Sequence, residues 1–312
     1  MELTDARRQQ LSTPRTWASA VHLAASWSLY VLLALLALRT PLFVRIPAWL
    51  AMGWLLLGNG AIVHEATHRH LFRSATANRV AGTVAGVAVL LPFGVYRPYH
   101  LSHHRYTVAI EDPEGPPLRF HSRIEYPVLT MGGVVFLLRL LGLGLATAVG
   151  RPPAWLRSRA QRRAAVTDTV LCLVAIAVAV WLALSNFAVL CTVWLIPWLV
   201  ALLIVVPLVL VTEHYGASVG TVEVAENTRT VVSNRVVRWM YWNNNFHTAH
   251  HQLPTVVYQS LPELDRLSGG DRLGPWISPG YLAFHHGVWR SLPWLDRTST
   301  GSAKVPRDTP LP

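Results

Sequence analysis

The sequence predicts an all-α integral membrane protein with about four transmembrane helices, further in-plane or re-entrant helices and a cytoplasmic histidine-rich cap. Of its 312 residues, 52% are hydrophobic and only 14% are charged, whereas about 25% of the residues in soluble domains are charged. Several apolar runs reach the ~20 residues that are needed to cross a bilayer core. Histidines recur in clusters near the ends of these runs, which indicates polar chemistry at one face of the membrane.

Four apolar runs are predicted to cross the membrane. If the clustered histidines bind metal at one site, the clusters and the segments that join them must share a face. For this reason Arg79–Val95 is predicted to be a re-entrant or in-plane helix and Tyr126–Gly150 a helix that does not cross. A six-span arrangement stays open if Arg79–Val95 inserts deeply. The predicted spans are Trp17–Leu38, Ile46–Val63, Val166–Leu184 and Phe187–Val211, the last two joined by the turn Ser185-Asn186.

Arginine-rich segments determine the predicted orientation. The N-terminus carries three arginines, and Arg151–Arg163 carries five in 13 residues; such segments stay on the cytoplasmic side. Most of the basic residues lie in short loops that flank apolar runs, where the cytoplasmic bias and anionic headgroups account for them, so the net charge of +11 does not indicate a nucleic-acid partner. We predict a cytoplasmic N-terminal segment at 1–16, a membrane domain with a cytoplasmic cap at 17–295, and a disordered tail at 296–312, which is rich in Ser, Thr, Pro and charge and is also predicted to be cytoplasmic.

Three histidine clusters have the spacing of metal ligands on helices. His100-Leu101-Ser102-His103-His104 carries histidines at i, i+3 and i+4, and His247-Thr248-Ala249-His250-His251 repeats this spacing. His64-Glu65-Ala66-Thr67-His68 carries a shorter i, i+4 pair. On a helix these spacings direct the imidazoles from one face. Eight imidazoles exceed the four ligands of one tetrahedral zinc ion and suit two ions of higher coordination number, although imidazole binds iron, copper, nickel and zinc alike.

The order and surroundings of these clusters resemble the membrane fatty acid desaturase family. The run from His103 to Thr107, followed by Asp112-Pro113-Glu114, is similar to the second histidine box of that family. The run from Trp242 to His247, with the later Leu253-Pro254 and Leu261-Pro262, is similar to its third box. The resemblance covers roughly residues 50 to 267 and implies that 17–295 is a desaturase-like domain with a diiron cap.

The resemblance implies two iron ions, dioxygen as co-substrate, and a ninth ligand at the end of the last span, where His214 lies. The implied iron ligands are His64, His68, His100, His103, His104, His214, His247, His250 and His251, and no catalytic residue beyond them is predicted. Neighbouring carboxylates and amides are expected to fix the imidazole tautomers. The candidates are Glu65, Asp112, Glu213 and Asn245. His70 is expected at the membrane interface, and His22, His121, His285 and His286 are expected to be structural or at the surface.

The predicted function is that of an oxidoreductase, a dioxygen-dependent diiron desaturase that introduces a double bond into a fatty acyl or lipid-like substrate. No fused cytochrome domain with a His-Pro-Gly-Gly haem motif is expected, so a separate ferredoxin- or rubredoxin-like protein is predicted to donate the electrons. A diiron hydroxylase or a carotenoid ketolase-type oxygenase stays open, because such enzymes share similar boxes. A membrane metal transporter or haem protein is a remote alternative, since its polar ligands would lie near mid-span.

Desaturation requires two neighbouring C–H bonds close to the oxidant, because a misplacement of order 1 Å can cost ~100-fold in rate. We therefore expect a narrow apolar tunnel between the stretches Ala48–Gly60, Arg79–Val95 and Phe187–Val211. Gly86 is expected to line this tunnel, although close helix packing explains the glycine equally well.

Overall fold

The structure, a computed structural model, is helical apart from one pair of two-residue strands among the residues that it describes. These residues are 3–107, 109, 111–115, 120–130, 132–217, 224–269 and 277–294; the predicted disordered tail at 296–312 lies outside them. The helices are α1 (Asp5–Leu11), α2 (Thr16–Arg39), α3 (Leu42–His68), α4 (Ala75–Ala88), α5 (Phe93–Tyr106), α6 (Glu125–Thr130), α7 (Gly132–Ala148), α8 (Arg159–Leu190), α9 (Ile196–Val200), α10 (Val206–His214), α11 (Val224–Asn227), α12 (Arg235–Met240), α13 (His247–Gln252), α14 (Leu261–Leu267) and α15 (Tyr281–Ser291). The strands β1 (Thr230–Val231) and β2 (Ile277–Ser278) pair in parallel.

Four helical runs in the described part of the chain are long and apolar enough to cross a membrane, and the predicted fold class is thereby confirmed. The runs are Asp5–Arg39, Leu42–His68, Glu125–Ala148 and Arg159–His214. The first two contain the first two predicted spans. Glu125–Ala148 has the length and composition of a span, so the expectation that this segment does not cross stays a prediction.

The run Arg159–His214 contains both of the last two predicted spans. As one straight helix of 56 residues it would be about 84 Å long, which far exceeds the ~30 Å of a bilayer core. Asn186 breaks the run with φ −156° and ψ 79°, and its side-chain oxygen accepts a hydrogen bond from the N–H group of Val189 at 3.2 Å. The break therefore lies at the predicted turn Ser185-Asn186.

Beyond this break the last span is irregular. Two π-helical turns, Cys191–Leu195 and Ala201–Val205, are each followed within two residues by a proline, Pro197 or Pro207. A proline inside a helix has no N–H group to donate, and its ring collides with the preceding turn. Such interruptions bend a helix, and here they shape the span that ends at His214.

The predicted re-entrant segment is a bent pair of helices, α4 and α5, which meet at 105°. Leu90 in the corner has a φ of 60°, and Pro92 precedes α5. Asp168 of α8 holds the corner, because its carboxylate accepts hydrogen bonds from the N–H group of Gly94 at 2.5 Å and from the guanidinium group of Arg79 at 2.5 and 2.7 Å. The first N–H groups of a helix have no partner within it, so the carboxylate stabilises the start of α5.

The described residues after His214 form a cap at the histidine ends of α3 and α10: α12 contacts α3, α13 brings His250 next to His64, and α15 packs on α10. Trp242 and Asn243, in the segment that leads to α13, have positive φ values of 54° and 56° and turn the chain towards the histidines. Helix α1 packs on the same cap through the buried Leu11, whose carbonyl group accepts a hydrogen bond from the N–H group of Val257 at 3.2 Å. The third histidine cluster thus meets the ends of the spans.

Candidate metal centre

Four elements bring the predicted ligands together: the ends of α3 and α10, helix α5 and the short helix α13. His64 and His68 lie one turn apart at the end of α3, and His214 is the last residue of α10. Helix α5 carries the second cluster and α13 carries the third. All nine side chains are buried or half-buried, and their rings pack against one another where the spans meet the cap.

The imidazoles form two groups. One ring nitrogen from each member of a group lies within 4.8 Å of those of the other members. The first group is His64, His68, His100, His104 and His250, and the second is His103, His214 and His251. His247 adjoins the second group, because its Nε2 lies 3.0 Å from Nε2 of His214. The structure therefore brings all nine predicted ligands together as two neighbouring sets of nitrogen donors.

The arrangement of the ring nitrogens fits metal ions. Nε2 of His104 lies 3.0 Å from Nε2 of both His100 and His250, so that three nitrogens converge. Several buried ring nitrogens have no hydrogen-bond partner among the described residues: Nε2 of His64, His68, His70 and His251, and Nδ1 of His100, His104 and His250. A buried polar atom without a partner costs about 1–3 kcal/mol. A bound metal ion would offset that cost.

Burial keeps the imidazoles of the cap neutral. It lowers the pKa of His247, His250 and His251 well below the ordinary value, and the neighbouring imidazoles lower these pKa values further. A neutral imidazole has a lone pair for a metal ion, whereas the protonated ring has none. Because imidazole suits iron among other first-row metals, these histidine clusters can hold ions of that kind.

Two of the predicted ligands form hydrogen bonds to carboxylates through Nδ1. The fully buried Glu65 lies 2.8 Å from Nδ1 of His64, and Asp112 lies 2.9 Å from Nδ1 of His103. A hydrogen bond of this kind fixes the tautomer and leaves the lone pair on Nε2. The structure places both carboxylates where an orienting role requires them, and that role stays a prediction.

Glu213 and Asn245 are placed differently. Glu213 accepts a hydrogen bond from the hydroxyl group of Tyr241 at 2.6 Å, and its carboxylate lies 3.9 Å from Nδ1 of His247, beyond hydrogen-bond distance. The amide of Asn245 donates to the carbonyl group of Val231 at 3.0 Å. This N–H group is bonded to β1 and holds the turn before α13, so the expectation that Asn245 orients an imidazole stays a prediction.

Two further residues lie at the site although the spacing of the histidines does not predict them. His70, expected at the membrane interface, is 2% exposed, and its Nδ1 lies 2.8 Å from Glu65; that expectation is wrong because Arg69 (φ 61°) turns the chain back after α3. Glu114 lies 3.6 Å from Nδ1 of His103. Both residues follow the helices that carry the ligands, so helical spacing contains no signal for them.

A buried arginine supports the end of the last span. The guanidinium group of Arg229 donates to the carbonyl groups of Thr212 at 2.7 Å and Tyr215 at 3.1 Å, and its backbone N–H group donates to that of Glu213 at 2.9 Å. Burial lowers the pKa of Arg229 to about 10, so the group is charged at neutral pH. A cation that bonds the last carbonyl groups stabilises a helix end, and this one fixes the turn that carries His214.

An apolar cavity of about 340 Å³ opens onto the histidines. Its walls come from α3, α5, α7 and the last span, and His64, His100, His103, His214 and His247 line its polar end. Along α3 the lining residues extend from His64 back to Leu56, a rise of about 12 Å. One turn further, a side chain at Gly53 would collide with Val200, so the helices close the space there. Trp198, two residues before Val200 in the chain, is also a lining residue, and we expect it at this end.

The cavity corrects part of the predicted tunnel. Each of the three expected stretches contributes to its wall, for example Leu57, Leu91 and Leu202. Helix α7 also contributes, through Phe136 and its neighbours, which the sequence did not indicate. Gly86 is not one of the lining residues and packs against the carbonyl oxygen of Leu91. Its predicted place in the wall is wrong, because close backbone packing occupies that side of α4.

Comparison with known proteins agrees with this site. A sequence profile of the family described as fatty acid desaturase matches residues 40–271, most of the chain. The sn-1 oleoyl-lipid 12-desaturase of Picosynechococcus sp. is 30% identical over 99 residues, which cover 31% of this chain and 27% of that protein. The match to this relative therefore spans about a quarter of its length. The profile match covers three of the four predicted spans and all three histidine clusters, and it shows that the chain belongs to the fatty acid desaturase family.

Proposed function

We propose that this chain is a dioxygen-dependent diiron desaturase that introduces a double bond into a fatty acyl or lipid-like substrate. One observation carries the proposal: the apolar cavity ends at the two groups of buried imidazoles. Imidazoles alone would suit many metalloproteins, whereas a deep apolar cavity beside them suits a hydrocarbon chain. Membership of the family supports an oxygen-dependent oxidoreductase, and the relative from Picosynechococcus sp. is named as a desaturase of an oleoyl lipid.

Two iron ions are proposed as the cofactor, one for each group of histidines. The first group would hold its ion through His64, His68, His100, His104 and His250, and the second through His103, His214, His247 and His251. Iron in such a site supplies the activation of dioxygen that attack on an unactivated C–H bond requires. Glu65 and Asp112 keep the Nδ1 atoms of His64 and His103 protonated, and burial of the rings excludes water from the ligand atoms.

The cavity wall determines which bond would react. Desaturation removes two hydrogens from neighbouring carbons and reduces dioxygen to two waters, with two electrons and two protons supplied in addition. We propose a separate ferredoxin- or rubredoxin-like protein as the electron donor. The side chains of Leu57, Phe136 and Leu202 would hold the hydrocarbon against the histidines, because hydrogen abstraction from two adjacent carbons needs the substrate in one position.

The N-terminus, the segment Arg151–Arg163 and the cap are proposed to be cytoplasmic, which would give a soluble donor access to the histidines. The arginines of these segments support this orientation. Labelling of a cysteine placed at Ser158 from outside intact cells would contradict it, whereas a cysteine at Asn186 should be labelled.

Lipid profiling of a host that expresses the chain under labelled dioxygen tests the proposed reaction. We expect a new double bond without labelled oxygen in the lipid, and close to two irons in the purified protein. His250→Ala should abolish the product, whereas His286→Ala, at an exposed position of α15, should not. A lipid that instead carries a labelled hydroxyl or keto oxygen and no double bond would identify a hydroxylase or ketolase. A protein without iron would contradict the proposal.

A further inference from the structure

His70 is a buried histidine outside the nine ligand positions, yet it contacts them. Its ring stacks on that of His68, with the ring centroids 5.2 Å apart. Its Nδ1 lies 2.8 Å from Oε2 of Glu65, while Oε1 of the same carboxylate lies 2.8 Å from Nδ1 of His64. One buried carboxylate therefore joins His70 to a predicted iron ligand.

The shared carboxylate decides which nitrogen carries the proton in each ring. An ionised carboxylate only accepts hydrogen bonds, so both Nδ1 atoms must donate to Glu65. Nε2 of His64 then keeps its lone pair, and this atom has no hydrogen-bond partner among the described residues. His64 is thus held in the tautomer that binds a metal ion through Nε2.

The backbone that ends α3 brings His70 to this position. The N–H group of Arg69 donates to the carbonyl group of Ala66 at 3.2 Å, and the N–H group of His70 donates to that of Glu65 at 2.9 Å. With the left-handed conformation of Arg69 (φ 61°), these two bonds form the helix cap in which the chain folds back over its last turn. The side chain of His70 is thereby directed at Glu65 instead of at solvent.

Without His70, one oxygen of Glu65 would lose this partner in a site that solvent does not reach. Glu65 has no exposed surface, and an unpaired buried group costs about 1–3 kcal/mol, or more when it is charged. The carboxyl group would then turn towards another donor, which would weaken its hold on Nδ1 of His64.

We propose that His70 is a positioning residue: through Glu65 it holds His64 in the orientation and tautomer that bind iron. The inference rests on the proposed function, because it requires His64 to be an iron ligand. The Nε2 of His70 is also buried without a hydrogen-bond partner among the described residues, but His70 belongs to neither group of converging donor nitrogens, so we assign its ring to positioning and not to binding. His70 lies outside the three histidine clusters that resemble the boxes of the family.

The affinity of the full-length protein for Fe²⁺ tests this role without reference to turnover. His70→Leu removes the donor to Glu65, and we expect about 10- to 100-fold weaker binding, the usual effect of losing the partner of a metal-binding histidine. His70→Asn can place an amide N–H group near the position of Nδ1, so it should restore most of the affinity. Titration of metal-depleted protein with Fe²⁺ in the absence of oxygen, and release to a chelator, measure both variants.

The asparagine variant also separates positioning from direct binding, because its side chain has no counterpart of the imidazole Nε2. If His70→Asn loses Fe²⁺ as completely as His70→Leu, the His70 ring binds the metal itself and the positioning role is wrong. A double-mutant cycle with Glu65→Gln gives a second test. The two substitutions should be strongly non-additive if they act through one contact, and additive losses would overturn the proposal.

His285→Leu is the matched control. This half-buried histidine bonds to the hydroxyl group of Tyr126 and the carbonyl group of Leu208, away from both groups of ligands, so its loss should leave the Fe²⁺ affinity unchanged. Different results would refute the proposed function and the role of His70. Wild-type protein that binds no Fe²⁺ would refute the proposed function, whereas wild-type and His70→Leu proteins that bind Fe²⁺ equally tightly would refute the role of His70 alone.

Discussion

The second and third histidine clusters have the same spacing, but they divide their imidazoles between the two metal-binding groups in opposite ways. In α5, His100 and His104 belong to the first group and His103 to the second. In α13, His250 belongs to the first group, and the outer pair at i and i+4 lies in or beside the second. The i, i+4 pair thus stays together in both helices, while the i+3 histidine reaches the other group.

Helix geometry explains this division. At 3.6 residues per turn, positions i and i+4 differ by about 40° around the helix axis, and position i+3 lies about 60° from i in the other direction. A helix between two metal sites therefore presents the pair to one site and the single histidine to the other. The comparison teaches that one histidine box does not correspond to one metal ion, since each helix contributes to both groups.

The two helices differ in what holds them in place. Helix α5 has 14 residues, and Asp168 of α8 bonds its first turn. Helix α13 has only six residues, and helices shorter than ~12–15 residues are marginal without packing. Its approach is fixed by Asn245, whose carbonyl group accepts from the N–H group of Val231 at 3.0 Å and whose amide donates back to Val231. A membrane span anchors α5, whereas the cap anchors α13.

The largest effect is expected from substitution of the two i+3 histidines, His103 and His250, because each substitution should remove iron from a different group of ligands. His103→Ala and His250→Ala should each lower the iron content from about two ions per chain to about one and activity by more than ~100-fold, because even the outer partners of metal ligands are worth 10- to 100-fold. Metal analysis and Mössbauer spectra should show a different remaining iron in each variant. Identical remaining spectra would mean that both helices supply a single site.

The anchor of α5 should give the next largest effect. Arg79→Ala leaves the buried Asp168 without its cation and should cost about 3 kcal/mol of unfolding free energy. Asp168→Ala should cost less, about 1–3 kcal/mol for the unpaired N–H group of Gly94, because the side chain of Arg79 is 35% exposed and can turn to solvent. Denaturant unfolding in detergent ranks the two variants, and the opposite ranking would contradict this account of the corner.

The corner before α5 also lines the cavity through Val89 and Leu91, and this link can be tested on substrate length. Trp198 and Trp194 stack with ring centroids 5.5 Å apart and donate to the carbonyl groups of Val89 and Ala88, but only Trp198 lines the cavity. Trp198→Ala should shift the preference towards longer acyl chains roughly tenfold, because one methylene in an apolar pocket is worth about 1–3 kcal/mol. Mass spectrometry of the products should show no such shift for Trp194→Ala. Equal shifts in both variants would place the closed end elsewhere.

The smallest effect is expected at the anchor of α13. Asn245→Ala removes one buried hydrogen bond to Val231 and should lower the unfolding free energy by about 1 kcal/mol, with little change in the Fe²⁺ affinity of the folded protein. The result distinguishes a residue that holds the turn from one that orients a ligand. Loss of Fe²⁺ without loss of stability would show that Asn245 acts on an imidazole after all.

Much of the fold follows from local properties of the sequence. The predicted span Trp17–Leu38 lies within α2, and the break at Asn186 lies in the predicted turn, because length, hydropathy and turn residues are read within one segment. The same holds for the eight histidines of the three clusters, since i, i+3 and i+4 spacing specifies a helix face before any packing is known, whereas His214 is expected only from the family resemblance. These features require only the neighbours of each residue in the chain.

The tertiary structure alone decides which groups meet across the chain. The sequence by itself determines that two helices each present three imidazoles, but packing decides that His103 and His250 reach opposite groups. Packing likewise buries His70 against Glu65 and brings Arg229 to the end of α10. Local spacing fixes the direction of a side chain on its own helix, whereas a buried polar group can take its partner from any segment that folding brings within hydrogen-bond distance. That choice depends on the joint arrangement of all the helices, which no single stretch of this sequence encodes.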